Sequence, residues 1–229
     1  MKIKVIRYIS GSGRTTQSYL IAAKKRNGNE REYIVQFDPV HPAMYSVLKS
    51  GWTQNYVENF AWMVSFYPFN ALLSLNQSGR FSPDSSMRYT RIELEQLMVE
   101  GVGEAIHDLM FRHDTVLLIA AAIRENLGKL YHRVLIRHAE AAGYHYHQAY
   151  RQEALYVLEK KEDPSTQKPS SGKLSRDQVI ALSLACMNQQ ADAFAEQVRE
   201  KGGWPGFLHR TGQPGHKHSP LKPDNRPVG

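Results

Sequence analysis

Hydrophobic and polar positions divide the chain into short alternating runs, longer helical stripes and Gly/Pro-rich breaks. Residues 2–9, KIKVIRYI, are β-branched and aromatic and stop at SGSG, which predicts a first strand and a loop. TTQSYLIAAKKR has Thr16 or Ser18 as caps and a basic end, a pattern that predicts a short helix. YIVQFD reads as a strand. After Pro39 and Pro42, AMYSVLKSGW reads as a short helix closed by Gly51. VENFAWMVSFYP, residues 57–68, alternates as a strand with Phe60, Trp62, Val64 and Phe66 on one side, and Pro68 ends it.

A polar loop, NQSGRFSPDSSMRY, precedes a capping box formed by Thr90 and Glu93. Ile92, Leu94, Leu97, Met98, Val102, Ala105, Ile106, Leu109 and Met110 then recur at helical spacing, and Gly101 and Gly103 weaken the middle of that helix. VLLIAAAI, residues 116–123, is apolar at every position, as expected for a strand covered on both faces. KLYHRVLIRH alternates, and the intervening ENLGK resembles a turn, so the pattern predicts a central β-hairpin. A helix is expected from Tyr146 to Glu159, with Tyr146, Tyr150, Ala154 and Leu158 on one stripe. Ser175 and Gln178 open a last amphipathic helix through Val179, Leu182, Cys186, Phe194 and Val198, closed by Gly202 and Gly203.

This order predicts an α+β fold, a central, mainly antiparallel sheet with helices packed on it. The domain reading is a main unit over residues 1–160, a linker over 161–174, a C-terminal helix over 175–203 and a basic flexible tail over 204–229. No internal repeat is visible. With 229 residues, 41% hydrophobic and 10% aromatic, the chain is long enough for one substantial core. No apolar run approaches the roughly 20 residues of a membrane span, and the N-terminus lacks the uninterrupted apolar segment of a secretory signal. A cytoplasmic location and no membrane partner are the expectations. One cysteine, Cys186, excludes an internal disulfide and reads as a small core residue.

The net charge of +7 and a pI near 9.4 point to a polyanionic partner, because clustered Lys and Arg release counterions from nucleic-acid phosphates. Part of that charge lies in the tail, HRTGQPGHKHSPLKPDNRPVG. GSGRTT lacks the Gly-Lys-Ser/Thr ending of a phosphate loop and reads as an ordinary loop. His145 and His147 would share a face in a strand and diverge in a helix, and a helix is expected there. His41, His107, His113, His216 and His218 show no spacing that suggests a common site.

Position by position, IRENLGKLYHRVLI resembles the third motif of the conjugative relaxases, or mobilisation nucleases. WMVSF, TRIELEQLMVEGVGEAI, QSYL and DAFAEQVREKGGW are similar in order to further segments of that family. The resemblance covers residues 1 to about 140, with a weaker echo around 187–204. It implies a relaxase-like fold and a tyrosine nucleophile at Tyr19, and it places the family's three metal-binding histidines on Arg124, Tyr131 and Arg133. None of the three is histidine here, and arginine does not ligate a cation, so the family's metal site is expected to be missing.

Tyr131 and Arg133 on one side of a hairpin, with Arg124 nearby, would form a cationic pocket for phosphate, to which Lys129 adds charge. The same side chains also fit solvated hairpin ends with a packing tyrosine. The resemblance implies single-stranded DNA and other relaxosome or conjugation proteins as partners, in an accessory role in plasmid or integrative-element mobilisation; without the histidines no cofactor is expected, a divalent metal entering only with the nuclease alternative. Two other readings stay open. One is a divergent metal-dependent nicking nuclease drawing its ligands from His132, His138, His145 or His147; the other is an interaction protein whose final amphipathic helix docks on a partner. Whether the chain is an enzyme is left undecided by the sequence.

Overall fold

The structure is a computed structural model and describes residues 1–8, 15–72, 86–113, 115–161 and 175–200. The linker expected over 161–174 lies almost wholly, and the tail wholly, outside the described residues. Seven strands form one sheet: β1 (Lys2–Tyr8), β2 (Gln17–Lys24), β3 (Glu30–Pro39), β4 (Ala61–Pro68), β5 (Leu117–Ala121), β6 (Tyr144–His147) and β7 (Leu155–Lys160). Their order is β1-β2-β3-β4-β5-β7-β6, and every pairing is antiparallel except β4 with β5. The expected α+β architecture with a mainly antiparallel sheet is therefore present.

Helices cover both faces, which is why β5 is apolar at every position, and a short helix, α3 (Phe69–Leu72), follows β4. On one face lie α4 (Arg91–Gln96), a π-helical segment (Leu97–Val102), α5 (Gly103–Arg112) and α6 (Glu125–His138). Leu97, Val102, Ala105, Leu109 and Tyr131 pack there with Tyr19, Ile21, Val35, Phe37, Trp62 and Leu118. On the other face, Val47 and Leu48 of α1 (Tyr45–Leu48), Val57 of α2 (Gln54–Phe60), and Val179, Cys186 and Met187 of α7 (Arg176–Glu200) pack with Met63, Ile119 and Val157. Chain contacts separate a main unit, Met1–Ala195, from Glu196–Gly229. Local signals located the caps. Thr90 and Glu93 form the reciprocal box, and Ser175 and Gln178 exchange the corresponding pair of bonds.

Four sequence expectations are corrected. TTQSYLIAAKKR holds a strand, because alternate residues Tyr19, Ile21 and Ala23 enter the core and the long-range pairing of β2 with β1 and β3 outweighs the helix propensity of its alanines. Residues 57–60 belong to α2, capped by Thr53, so β4 starts at Ala61; Trp62, Val64 and Phe66 do share a face, while Phe60 does not belong to it. Residues 146–159 are two antiparallel strands joined by a 3-10 turn over Gln148–Glu153, not a helix. The hairpin over 116–138 is a strand followed by a helix. Leu127, Tyr131 and Leu135 obey helical spacing as well as alternation, and packing on the sheet, which Val134 joins only in a helix, selects the helix.

Gly128, read from sequence as a turn residue, is required for another reason. In the fourth position of α6 it lies so close to the Tyr156 hydroxyl that an added Cβ would collide with it. Tyr156 is buried on β7. Gly128→Ala is expected to cost about 1–3 kcal/mol by overpacking, although alanine is the better helix former by about 1 kcal/mol. A fall in the denaturation midpoint checks this; a rise would show that the ring yields.

Candidate nucleic-acid interface

The chain enters α6 from β5 through Ala122–Arg124. Arg124 is the N-cap in extended conformation, and its side chain makes no capping hydrogen bond. The first N–H groups of α6 thus offer donors and a positive dipole end at the carboxyl end of a central strand. Lys129 stands one turn on and pairs with Glu125 at 2.7 Å. The 3-10 turn before β7 brings in Arg151, whose Nη1 lies 3.3 Å from His132 Nε2 and which also bonds the Tyr156 hydroxyl. Arg176, first in α7, lies close enough to act electrostatically on both Tyr156 and Glu125. Arg151, Arg176 and Lys129 are exposed.

Arg151 and Arg176 thus meet at Tyr156, and Arg176 also acts on Glu125 in the first turn of α6, which follows Arg124 and pairs with Lys129. Burial raises the Tyr156 pKa while Arg151 and Arg176 oppose the shift. Burial also lowers the His132 pKa, and Arg151 lowers it further, so the imidazole is kept neutral beside the guanidinium. Its Nδ1 meets Tyr146 Oη at 3.2 Å.

The residues singled out from sequence do not form one pocket. Arg124 and Lys129 join the basic cluster. Tyr131 is buried in the core, edge-on to Tyr156, because the helix turns it toward the sheet. Arg133 points to another neighbour: its Nε lies 4.0 Å from Glu95 of α4, which also takes Arg137 at 2.9 Å and His138 at 3.0 Å. The expected sharing of one side by Tyr131 and Arg133 is corrected, since a helix separates residues two apart by about 200°. Arg151 and Arg176 were missed. Nothing local marks them, because they reach the cluster through the return of β7 and the start of α7.

Tyr19 lies in β2, only 2% exposed, and its hydroxyl donates to Asp108 Oδ2 at 2.9 Å. Arg112 donates to both oxygens of the same carboxylate. Burial, and then the bond to Asp108, raise the pKa of Tyr19. The phenol is held protonated inside the core. The histidines proposed as alternative ligands are distributed over separate partners: His132 on Tyr146, His138 on Glu95, and His147 on Glu159. Among the described residues, no group of three or more His, Cys, Asp or Glu is arranged to hold a metal ion.

Two buried polar networks lie on the opposite face of the sheet. In the strand β6, His145 and His147 share a face, with ring centroids 4.4 Å apart. His147 Nε2 lies 2.7 Å from Glu159 Oε2, while Trp52 Nε1 and Tyr56 Oη donate to Oε1 at 3.0 and 3.4 Å. Burial would raise the Glu159 carboxyl, but these bonds hold it below the ordinary range. The second network centres on Asp38, 1% exposed, which accepts from Thr16 at 2.6 Å and from Gln36 at 3.0 and 3.1 Å. Tyr67 donates to Gln36 in turn. Burial pushes the Asp38 carboxyl up to about 6 against these bonds.

The fold is α+β, and basic side chains lie near the start of α6. Compared with known proteins, the chain matches no family model, no curated protein and no solved structure. No helix among the described residues is long and apolar enough to cross a membrane.

Proposed function

We propose that the chain is a DNA-binding protein that grips phosphates at the start of α6 with Arg124, Lys129, Arg151 and Arg176. The observation that carries this reading is Arg151. It is exposed, its contacts are the neutral His132 ring and the Tyr156 hydroxyl, and it meets Arg176 at Tyr156 near the start of α6. Guanidinium groups pair bidentately with phosphate oxygens, and the helix dipole adds to the attraction. The net charge of +7 supports the same partner class.

Single-stranded DNA and an accessory role in plasmid or integrative-element mobilisation rest on the relaxase resemblance. The burial of Tyr19 supports a binding role rather than strand transfer at that residue. In the full chain, Arg151→Glu/Arg176→Glu is expected to weaken binding of a labelled single-stranded oligonucleotide at least tenfold in fluorescence anisotropy. Equal affinity of the double variant and the wild type would overturn the proposal. A denaturing gel of the same samples with magnesium or manganese reads nicking separately, and none is expected from Tyr19.

A further inference from the structure

An apolar cleft of about 60 Å³ lies on the face of the sheet covered by α4 to α6. Its floor is Ala120 on β5, and its walls include Met98, Val102 and Ile106 on one side and Val134 and Leu135 on the other. β5 has neighbours on both sides, yet Ala120 is only half-buried, as are Met98, Ile106 and Leu135. The two helical layers thus leave a gap over the middle of the sheet.

The π-helical turn builds one wall of this gap. The Gly103 N–H reaches back to the Met98 carbonyl, five residues away, which widens the turn. Leu97 and Gly101 then pack toward β2, where Ile21 carbons would lie 3.1 Å from a Cβ at Gly101, while Met98 and Val102 line the cleft. π-helical turns are rare and frequently sit at functional sites. Here the π segment coincides with the cleft.

We infer that this cleft is a binding site for a small apolar molecule carrying one compact hydrocarbon group, such as a single aromatic ring. The size follows from the volume: at roughly 10–15 Å³ per water-sized sphere, 60 Å³ takes about four to six non-hydrogen atoms. The chemistry follows from the lining, which has no charged side chain and stays unfavourable for water. A ligand that fills it gains carbon contacts with the floor and both walls. The cleft adjoins the basic surface through Tyr156, which lines the cleft and whose hydroxyl takes Arg151, but the inference does not depend on DNA binding.

The test uses benzene as the probe and 1,4-dioxane as a polar molecule of similar size, on the full chain. Benzene is expected to raise the melting temperature and to shift the methyl resonances of Val102, Ile106, Leu118, Val134 and Leu135, whereas dioxane leaves both unchanged. Ala120→Leu places a side chain in the cleft and is expected to abolish the benzene response while melting at or above the wild-type temperature. The wild-type methyl map stands alone if that variant folds poorly. No benzene response, a response at methyl groups elsewhere, or one that persists in a folded Ala120→Leu protein would overturn the inference.

Discussion

Glu159→Ala is expected to destabilise the protein by about 3–5 kcal/mol, more than any other single substitution considered, because it removes the acceptor at the centre of a buried network. His147, Trp52 and Tyr56 all direct donors at that carboxylate, and the side chains of Glu159 and His147 are only 11% and 8% exposed. Without it, a buried imidazole and a buried indole N–H lose their partner in a space where water does not replace it. A carboxyl held below its ordinary pKa contributes stability that is present above the unfolded value and lost as pH falls through the folded one. The variant should therefore lose most at neutral pH and progressively less in acid. A loss below 1 kcal/mol by urea titration at pH 7 would mean that the network does not hold β6 and β7 to α2.

Asp38→Asn has the opposite sign. The Asp38 carboxyl is raised from 3.8 to about 6 by burial, so its contribution is fully present below about pH 4 and lost as pH rises through 6. The difference of about 2 units corresponds to about 3 kcal/mol of instability carried by the ionised carboxylate at pH 7. Asparagine keeps an acceptor for Thr16 and Gln36 without the charge. The variant is expected to be about 2–3 kcal/mol more stable than wild type at pH 7 and nearly equal to it at pH 4, which thermal melts at both pH values would read. Equal destabilisation at both would show that the carboxylate is compensated by groups other than Thr16 and Gln36.

The two networks also show where the sequence is readable. Capping boxes at Thr90 and Ser175 are legible because both partners lie within one turn, and β3 and β5 because their apolar runs are short and bounded. The stretch 125–138 is ambiguous at that level: Tyr131, Arg133 and Leu135 alternate like a strand, while Leu127, Tyr131 and Leu135 repeat like a helix. ENLGK resembles a turn in the sequence, although the small size of Gly128 is needed by Tyr156, 28 residues away. The His145/His147 pair was read correctly for a strand but assigned to a helix, so its pairing with Glu159 was missed. Arg151 and Arg176 meet Arg124 only through the topology of β7 and α7, and the long-range contacts of Asp38 with Thr16 and of Tyr19 with Asp108 leave no local signature either.

The basic cluster is the part of the account that bears on function, and its electrostatic character has a quantitative signature. Each phosphate neutralised on a single strand contributes about 0.7 to the slope of log affinity against log salt concentration. The most direct measurement is that slope for a single-stranded oligonucleotide, compared between the wild type and Arg124→Ala/Arg151→Ala/Arg176→Ala. Weaker binding and a slope reduced by about 2 are expected in the triple variant; an unchanged slope and affinity would contradict a phosphate grip by these arginines.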